Sequence, residues 1–475
     1  MLRIRKRPLR AVMPALAASA LLLATGCSAG SGPRASSAPG RVPEATASTA
    51  ESAHGGGPLA VAAGPAATST AVARPGTAGG EAHKSALTVT SYDSRTRRAV
   101  ISPAHKGNPS ASPAPGGTPA PGRTAVGDVI ASAPAPGAPD GLLAEVTEVI
   151  GEKPDGTEVR TAPTTLDALL GDGEAKGTVP VDPASFDVER LLPGVKVSWA
   201  RTGDVHAGPE GAKVPLGSLR VDVATQVATA EGAPASAAAT LSGFVQVKPE
   251  VDFSYGGRST AAGPGTAHLG VLGDWTSRWA LKGRAAASAQ PVRLPFAKLH
   301  ADPVLQVGPV PVVVNLDLTC YFQISGDGRV TVDIEQDLKG DFDAGGTYDA
   351  ATGWTPVDES HMASTPVRAR VTTDGGVKAA LGAQATVGLY GAVGVTADLA
   401  PYLRGEAAGT VDVTSPSHSG TKADVGTTGT WSVYGGLDLS GTLRIQLSVF
   451  GTPVLQRGIP LGTLHREWRL AGSPV

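Results

Sequence analysis

Apolar and polar positions alternate most clearly between Val312 and Ile324. Every second residue of this stretch is apolar, and polar side chains hold most of the places between them. Successive side chains of a strand point to opposite faces, so a period of two predicts a half-buried strand, and no helical stripe fits it. Residues 325–328 (Ser-Gly-Asp-Gly) favour a turn, and the alternation resumes at Val330. We therefore predict a β-hairpin over residues 312–335.

Further alternating runs occupy much of the C-terminal half, with only short helix signals elsewhere. Capped turns are predicted near residues 164–170 and 182–192. The alternating runs cover residues 219–223, 245–255, 377–389, 393–399 and 443–449. Strands at this spacing without intervening helices favour antiparallel pairing. We therefore predict a mostly β fold made of an antiparallel sandwich or barrel-like sheets.

Residues 1–26 predict a signal peptide. Bases are concentrated between Arg3 and Arg10, and an apolar stretch follows from Ala11 to Ala24. This stretch is shorter than the about 20 residues that span a hydrocarbon core, and it fits the apolar region of a secretory signal.

The signal ends in a motif around Cys27 that resembles the bacterial lipobox. Residues 22–28 read Leu-Leu-Ala-Thr-Gly-Cys-Ser, with Ala24 where the usual Leu stands three residues before the cysteine. The resemblance implies that Cys27 becomes the diacylated N-terminus of a protein held on the extracellular face of the cell membrane. Two acyl chains are enough for stable anchoring. Ordinary secretion with cleavage elsewhere and a Cys27 buried in a core helix are the alternatives.

Changes in composition divide the rest of the chain into three parts. Residues 27–84 are rich in Ala, Gly, Pro, Ser and Thr and cannot bury enough apolar surface to fold, so they predict a disordered tether. Residues 85–190 contain paired strand signals around a Pro-rich insertion, and we assign them to a small β module. Residues 191–475 carry the long alternating runs and form the predicted large antiparallel β domain.

Several segments resemble a pattern in secreted bacterial proteins. They are residues 126–130, 141–149 and 159–166 of the small module and residues 309–314 of the large domain. With the Ala, Gly and Pro bias, they make the chain similar to actinobacterial cell-surface lipoproteins that have no known activity. The resemblance covers scattered parts of residues 85–330, and it implies a place at the cell surface but no reaction.

Composition and charge exclude several classes of function. The chain has 40 Lys and Arg against 42 Asp and Glu, and residues 141–475 alone carry 26 bases and 36 acids. Nucleic acids require a basic face and often stacking rings, whereas this body is acidic and only 4% of all residues are aromatic. Two cysteines are too few for a disulfide scaffold or a thiolate zinc cluster.

No residue spacing typical of catalysis or metal binding emerges. Cys320 lies on the apolar parity of its strand, which predicts a small buried side chain and not a nucleophile. The acids between Asp333 and Asp343 indicate the solvated face of a strand, with a calcium site as the alternative. The sequence has no nucleophile elbow, nucleotide loop or zinc-protease histidine pair. We therefore expect no enzymatic activity, no cofactor and no metal.

Two features of the sequence point to binding. Trp275 and Trp279 share one face of their segment, and paired indoles can stack on sugar rings; core packing is the alternative. Small residues on the core parity of a predicted sheet leave space that larger side chains would fill. These small residues are Ala379, Ala383, Ala385 and Gly391.

The sequence supports two functions of different classes. The first is a binding or structural role at the cell surface, with a cell-wall polymer or a surface protein as the partner and the membrane as the anchor point. The alternative is a carrier that holds a lipid-like molecule in a curved β-sheet. An enzyme is a third class, because a convergent site can arise without a sequence motif.

Overall fold

The computed structural model confirms a mostly β, sandwich-like fold with several antiparallel sheets. Strands account for most of the part that the structure describes, and helices are few and short. The described residues are 58–64, 70–73, 82–85, 87–103, 124–200, 206–208, 211–213, 218–228, 236–260, 263–286, 291–326, 329–414, 424–428, 430–443, 447–451 and 459–472. The predicted signal peptide, Cys27 and most of the predicted tether lie outside these residues. The described part of the tether differs from the predicted disorder, because it contains the strands Val61–Ala63 and Thr70–Ala73 and most of His83–Ser85. The first two pair with Val304–Val307 and Val129–Ser132, which supply partners that the composition of the tether does not reveal.

The strands form one large sheet, one smaller sheet and two short pairs. The large sheet has sixteen strands and the smaller one seven, counted over the described residues. In chain order the strands are β1 (Val61–Ala63), β2 (Thr70–Ala73), β3 (His83–Ser85), β4 (Leu87–Asp93), β5 (Arg98–Pro103), β6 (Val129–Ser132), β7 (Leu142–Lys153), β8 (Gly156–Pro163), β9 (Glu174–Pro180), β10 (Asp187–Arg190), β11 (Val195–Ala200), β12 (His206–Gly208), β13 (Gly211–Lys213), β14 (Ser218–Ala228), β15 (Ser236–Gly256), β16 (Arg258–Thr260), β17 (Gly263–Pro264), β18 (Thr266–Ala286), β19 (Val292–Ala301), β20 (Val304–Val307), β21 (Val310–Gly326), β22 (Arg329–Asp349), β23 (Gly353–Leu389), β24 (Ala392–Thr414), β25 (Asp424–Thr428), β26 (Trp431–Leu443) and β27 (Ile459–Gly472).

The helical segments fall where the sequence predicts capped turns, and one more lies near the C-terminus. Helix α1 covers Asp167–Leu170 and buries Leu169 and Leu170. A 3₁₀ turn covers Pro183–Ser185, and the Asp182 side chain accepts a hydrogen bond from the backbone N–H of Ala184. This side chain satisfies a donor that the short turn leaves unpaired. A second 3₁₀ turn covers Leu447–Phe450, where the alternating run over residues 443–449 predicts a strand, so that prediction is wrong over residues 447–449, whereas Leu443 is the last residue of β26. Val449 and Phe450 are buried, and a short turn that buries apolar residues can carry the same apolar pattern as a short strand.

The long strand β23 is shared by two branches of the large sheet. Along one edge it pairs with β22 over residues 353–373 and then with β21 over residues 377–389. Strand β24 pairs along the opposite edge, from residue 368 to residue 389. The sheet therefore divides at β23. The first branch runs through β22, β18, β15 and β14, and the second runs from β21 to β19 and β10.

The hairpin predicted over residues 312–335 is wrong in its pairing. Both strands exist, as β21 and β22, but among the described residues they do not pair with each other. Each pairs instead with β23, which has 37 residues and is long enough to reach both. Both strands are antiparallel to β23 and share one register along it, with Gly326 opposite Val377 and Val330 opposite Thr373. The chain therefore runs in the same direction in β21 and β22 and does not reverse as the turn residues predict, because Gly and Asp permit a turn but do not require one.

Pro249 lies within β15 without ending it. On one edge β15 pairs with β14 as far as Val247 and with β9 from Glu250, so Pro249 falls in the gap between these two partners. A residue without a backbone N–H is tolerated where the ladder needs no donor. The carbonyl of Pro249 still accepts a hydrogen bond of 2.9 Å from the N–H of Val181.

The smaller sheet contacts the large sheet through strands β2 and β6 and through the residue that follows β6. Its strand order is β3-β2-β6-β7-β8-β5-β4. Ala133, which follows β6, forms a buried apolar cluster with Val304 and Val313 of the large sheet. Strands β9 and β10 precede residue 191 but pair with β15 and β19 of the large sheet. The module boundary at residue 190 stays a prediction, which a fragment experiment tests below.

Candidate functional site

An apolar cavity of about 110 Å³ lies between the two branches of the large sheet. The cavity is lined by residues of β14, β15, β18 and β22 in the first branch and of β21 in the second, together with residues of the dividing strand β23 and of β24 and β26, which lie beyond its opposite edge. Protein interiors are packed nearly as densely as organic crystals, so a space of this size needs a local cause. We call this space the inter-branch cavity.

Small side chains on β23 create the space. Ala383 and Ala385 line the cavity, and their register partners on β21 are Cys320 and Leu318. A methyl group at these inward positions leaves room that a leucine would fill. Of the other small residues singled out by the sequence, Ala379 is fully buried, and Gly391 lies in the β23–β24 turn with φ +76°.

Several apolar side chains of the cavity wall are only half-buried. They include Val245 and Val247 of β15, Leu318 of β21, Phe342 of β22 and Leu399 of β24. All of them are large side chains that protein folding normally covers, because burying them removes apolar area from water. The cavity therefore presents apolar surface that an apolar molecule could cover.

Polar groups are scarce in the described wall of the cavity. Ser277 is one such group, and its hydroxyl donates a 2.9 Å hydrogen bond to the carbonyl of Phe244. Trp275 is another, and its indole N–H is buried with no acceptor among the described residues. A methyl carbon placed at Gly340 would lie 2.9 Å from Trp275 Nε1, so the N–H lies over this glycine. A bound molecule with an oxygen here would satisfy the indole.

The structure places both predicted ligand-binding tryptophans in the interior. Trp275 is 6% exposed and lines the cavity, whereas Trp279 is 0% exposed and packs against Phe322 with ring centroids 6.1 Å apart. Neither indole presents a face to solvent on which a sugar ring could stack. A ligand-binding role for Trp275 and Trp279 stays a prediction, and only Trp275 contributes to the described cavity wall.

Cys320 belongs to the cavity wall and is buried, as its parity predicts. Burial raises the pKa of the Cys320 thiol to about 12, because the charged thiolate loses its solvation. The thiolate is the nucleophilic form of cysteine, so the thiol at this position is an inert part of the apolar wall at neutral pH.

On the outer face of the second branch, the ring of Tyr321 packs over Gly382. A methyl carbon at Gly382 would lie only 2.2 Å from Cζ of Tyr321, so the ring of Tyr321 occupies the space beside this glycine. The guanidinium of Arg293 stacks on the Tyr321 ring at 3.4 Å from its centroid and pairs with Asp398 at 2.9 Å. The Tyr321 hydroxyl donates to Asp398, and burial raises the pKa of Tyr321.

The acidic run on β22 forms cross-strand ion pairs on the outer face of the first branch. Arg278 contacts Asp337 through two nitrogens, at 2.5 and 2.7 Å, and Lys282 pairs with Asp333 at 3.7 Å. These partners follow from the register of β18 against β22. The arrangement agrees with the solvated strand face that the period of two indicates.

The comparisons with known proteins assign no family to the chain. No family model matches it, and neither the curated proteins nor the solved structures include a match. Among the described residues, no helix is long and apolar enough to cross a membrane.

Sequence reasoning found part of the cavity and missed the rest. Ala383, Ala385 and Cys320 are recognisable from the parity of their strands. Phe342 has the same parity as Ile334 and Leu338, so its inward direction can also be recognised from the sequence. That β15 and β24 face the same space follows only from the division of the sheet at β23, for which the sequence holds no local signal.

Proposed function

We propose that the protein is a lipid-anchored extracellular β-sheet protein that binds a lipid-like molecule in the inter-branch cavity. The observation that carries the proposal is the half-buried apolar surface of that cavity, which faces a space of about 110 Å³. An engineered apolar cavity of roughly 150 Å³ stays dry and binds benzene, so a space of this order accepts a hydrocarbon segment.

An acyl chain is the occupant that best fits these walls. Its methylene groups gain about 0.8 kcal/mol each on leaving water, and the scarcity of polar groups in the wall leaves little to compete with them. The buried N–H of Trp275 offers one donor to an ester or carboxyl oxygen. If Cys27 is acylated as its motif implies, the protein is held beside a membrane that contains such molecules.

The proposal is tested by titrating the full chain carrying Cys27→Ser, which cannot hold an acyl anchor of its own, with a fluorescent fatty acid. We expect binding that unlabelled palmitate displaces. Ala383→Leu fills the cavity and should weaken the affinity by about tenfold or more, equal to at least 1.4 kcal/mol. Gln384→Leu is the matched control, because the next residue of β23 points to the opposite face.

Both variants are first checked for cooperative unfolding in urea, so that a lost fold is not taken for a lost site. A wild-type chain that binds no fatty acid would contradict the proposal, as would equal affinities of Ala383→Leu and Gln384→Leu. Either result would leave the binding or structural role toward a cell-wall polymer or a surface protein.

A further inference from the structure

A second cluster of polar side chains lies where the smaller sheet meets the large one. Asp140 belongs to the β6–β7 connection of the smaller sheet, His300 to β19, and Asp302 to the link between β19 and β20. One side-chain nitrogen or oxygen atom from each of the three lies within 4.8 Å of the other two. All three residues are half-buried. Imidazole and carboxylate groups at this spacing are the ligands that divalent metal ions take in proteins.

Two further residues hold the cluster in position. His300 Nδ1 lies 2.8 Å from Asp317 Oδ1 on β21, which leaves Nε2 to face Asp302 Oδ2 at 2.9 Å. Asn315 donates a 2.7 Å hydrogen bond to the other oxygen of Asp302 and accepts one of 2.6 Å from the N–H of Gly391. Metal-binding histidines usually donate their second ring N–H to a carboxylate, and metal-binding carboxylates are usually hydrogen-bonded in turn.

The backbone fixes Asp140 against the same strands. The next residue, Gly141, has φ +82°, and a methyl carbon there would lie 2.6 Å from Cγ2 of Val313 on β21. Only a glycine allows this close approach in this conformation. The carboxylate of Asp140 is therefore held beside Asp302 by the packing of the two sheets, independently of any hydrogen bond within the cluster.

The charges of the cluster are not balanced by the protein. Three carboxylates, those of Asp140, Asp302 and Asp317, surround the single imidazole of His300. In the described part of the chain no lysine or arginine forms an ion pair with any of the three. A cation between these groups would remove the repulsion between them.

We propose that Asp140, His300 and Asp302 bind a divalent metal ion that joins the smaller sheet to the large one. The ligands would be Nε2 of His300 and one oxygen of each aspartate, while Asp317 orients the imidazole and Asn315 orients Asp302. The imidazole nitrogen favours Zn²⁺ or Mn²⁺ over Ca²⁺ and Mg²⁺, which prefer sites made only of oxygen ligands. Three protein ligands leave a coordination position for water. The site is separate from the inter-branch cavity and does not depend on what that cavity binds.

The test is a Zn²⁺ titration of the full chain carrying Cys27→Ser, which also removes a thiol that would bind zinc, after treatment with a chelator. We expect one tight site, and Asp140→Asn and His300→Gln should each weaken it by about tenfold or more. Asp317→Asn should weaken it by about 10- to 100-fold, as loss of a residue that orients a ligand does.

His361→Gln is the matched control, because His361 pairs with Asp341 at 2.9 Å on β23 and β22, away from the three ligands. Its Zn²⁺ affinity should equal that of the parent chain. Asp140→Asn keeps the shape of the side chain, so it carries the test even where His300→Gln lowers stability. Absence of a tight Zn²⁺ or Mn²⁺ site would overturn the proposal, and so would equal affinities of Asp140→Asn and His361→Gln. Either result would make the cluster an ion pair of His300 with its carboxylates.

Discussion

Glycine and tyrosine form complementary pairs on neighbouring strands of this sheet. The ring of Tyr321 covers Gly382, and the ring of Tyr402 covers Gly436, where a methyl carbon would lie 2.1 Å from Cζ. A glycine alone weakens a strand because it has no side chain to pack, and an aromatic ring laid over it restores the contact. These glycines therefore serve packing and not backbone freedom, since neither adopts a positive φ among the described residues.

A methyl group added at position 382 should lower the free energy of unfolding far more than one added elsewhere on β23. Gly382→Ala must displace the Tyr321 ring, and we expect a loss of about 1–3 kcal/mol in the free energy of unfolding. Gly376→Ala is the control, because the atoms nearest to a methyl carbon there are 3.9 Å away. We expect it to be neutral or stabilising by up to about 1 kcal/mol. Urea unfolding measures both, and equal stabilities of the two variants would contradict the packing role.

The sequence predicts well whether a residue is buried where this depends only on the strand that contains the residue. The period of two around Cys320 identifies it as buried, and the structure agrees. It gives no sign that side-chain atoms of Asp140 and His300, which are 160 positions apart, lie within 4.8 Å of each other. A residue pattern reports which face a side chain points to, but not what another part of the chain brings to that face.

At the scale of elements, β27 is held to the sheet by a cluster of charged and aromatic groups. Glu467 on β27 accepts hydrogen bonds of 2.8 and 2.6 Å from Arg404 on β24, and one of 3.0 Å from the Tyr402 hydroxyl. Hydrogen bonds from Arg404 lower the pKa of Glu467 below its ordinary value of 4.5, with burial opposing them and Tyr402 adding to them. Both charged side chains are less than a third exposed.

This cluster should make the stability of the protein depend on pH in the acid range. The folded state binds a proton at Glu467 less readily than the unfolded state, so the contribution is complete well above pH 4.5 and is lost as the pH falls below it. Glu467→Gln cannot titrate. We therefore expect the parent chain to lose more unfolding free energy than this variant between ~pH 6 and ~pH 3.5. Parallel losses in urea unfolding would show that Glu467 does not contribute.

Most element types follow from the sequence, with the 3₁₀ turn Leu447–Phe450 as an exception, whereas several pairing partners do not. The alternating runs predict β14, β15 and β21–β24 where they occur, and the pair β7–β8 follows from its turn. The hairpin of β21 with β22 was the clearest prediction from turn chemistry, and its pairing is wrong. Local turn residues cannot reveal that β23 is long enough to take both strands as neighbours.

At the scale of the whole molecule, residues before the predicted boundary at 190 are built into the large sheet. Strand β9 pairs with β15, and the backbone N–H of Leu166 donates a 2.6 Å hydrogen bond to Val449. The hydroxyl of Tyr255 donates a 2.9 Å hydrogen bond to Gly171. Leu166, Leu169 and Leu170 belong to the core of the large sheet.

A fragment that starts at residue 164 should therefore be more stable than one that starts at residue 191. The shorter fragment exposes the edge of β15 that β9 covers and removes three buried leucines, each worth roughly 2–5 kcal/mol when lost from a core. Urea unfolding and limited proteolysis compare the two fragments. Equal stability would support the boundary that composition predicts.

The order of the strands along the chain also determines when each strand can pair during synthesis. A ribosome makes β21 and β22 before β23 exists, so β22 can complete its pairing with β23 only after residue 373 has been made, and β21 only after residue 389 has been made. The cavity needs still more of the chain, because its wall includes Leu439 of β26. Both walls of the site therefore close only near the end of synthesis, after the smaller sheet has had its complete sequence for more than half of the chain's length.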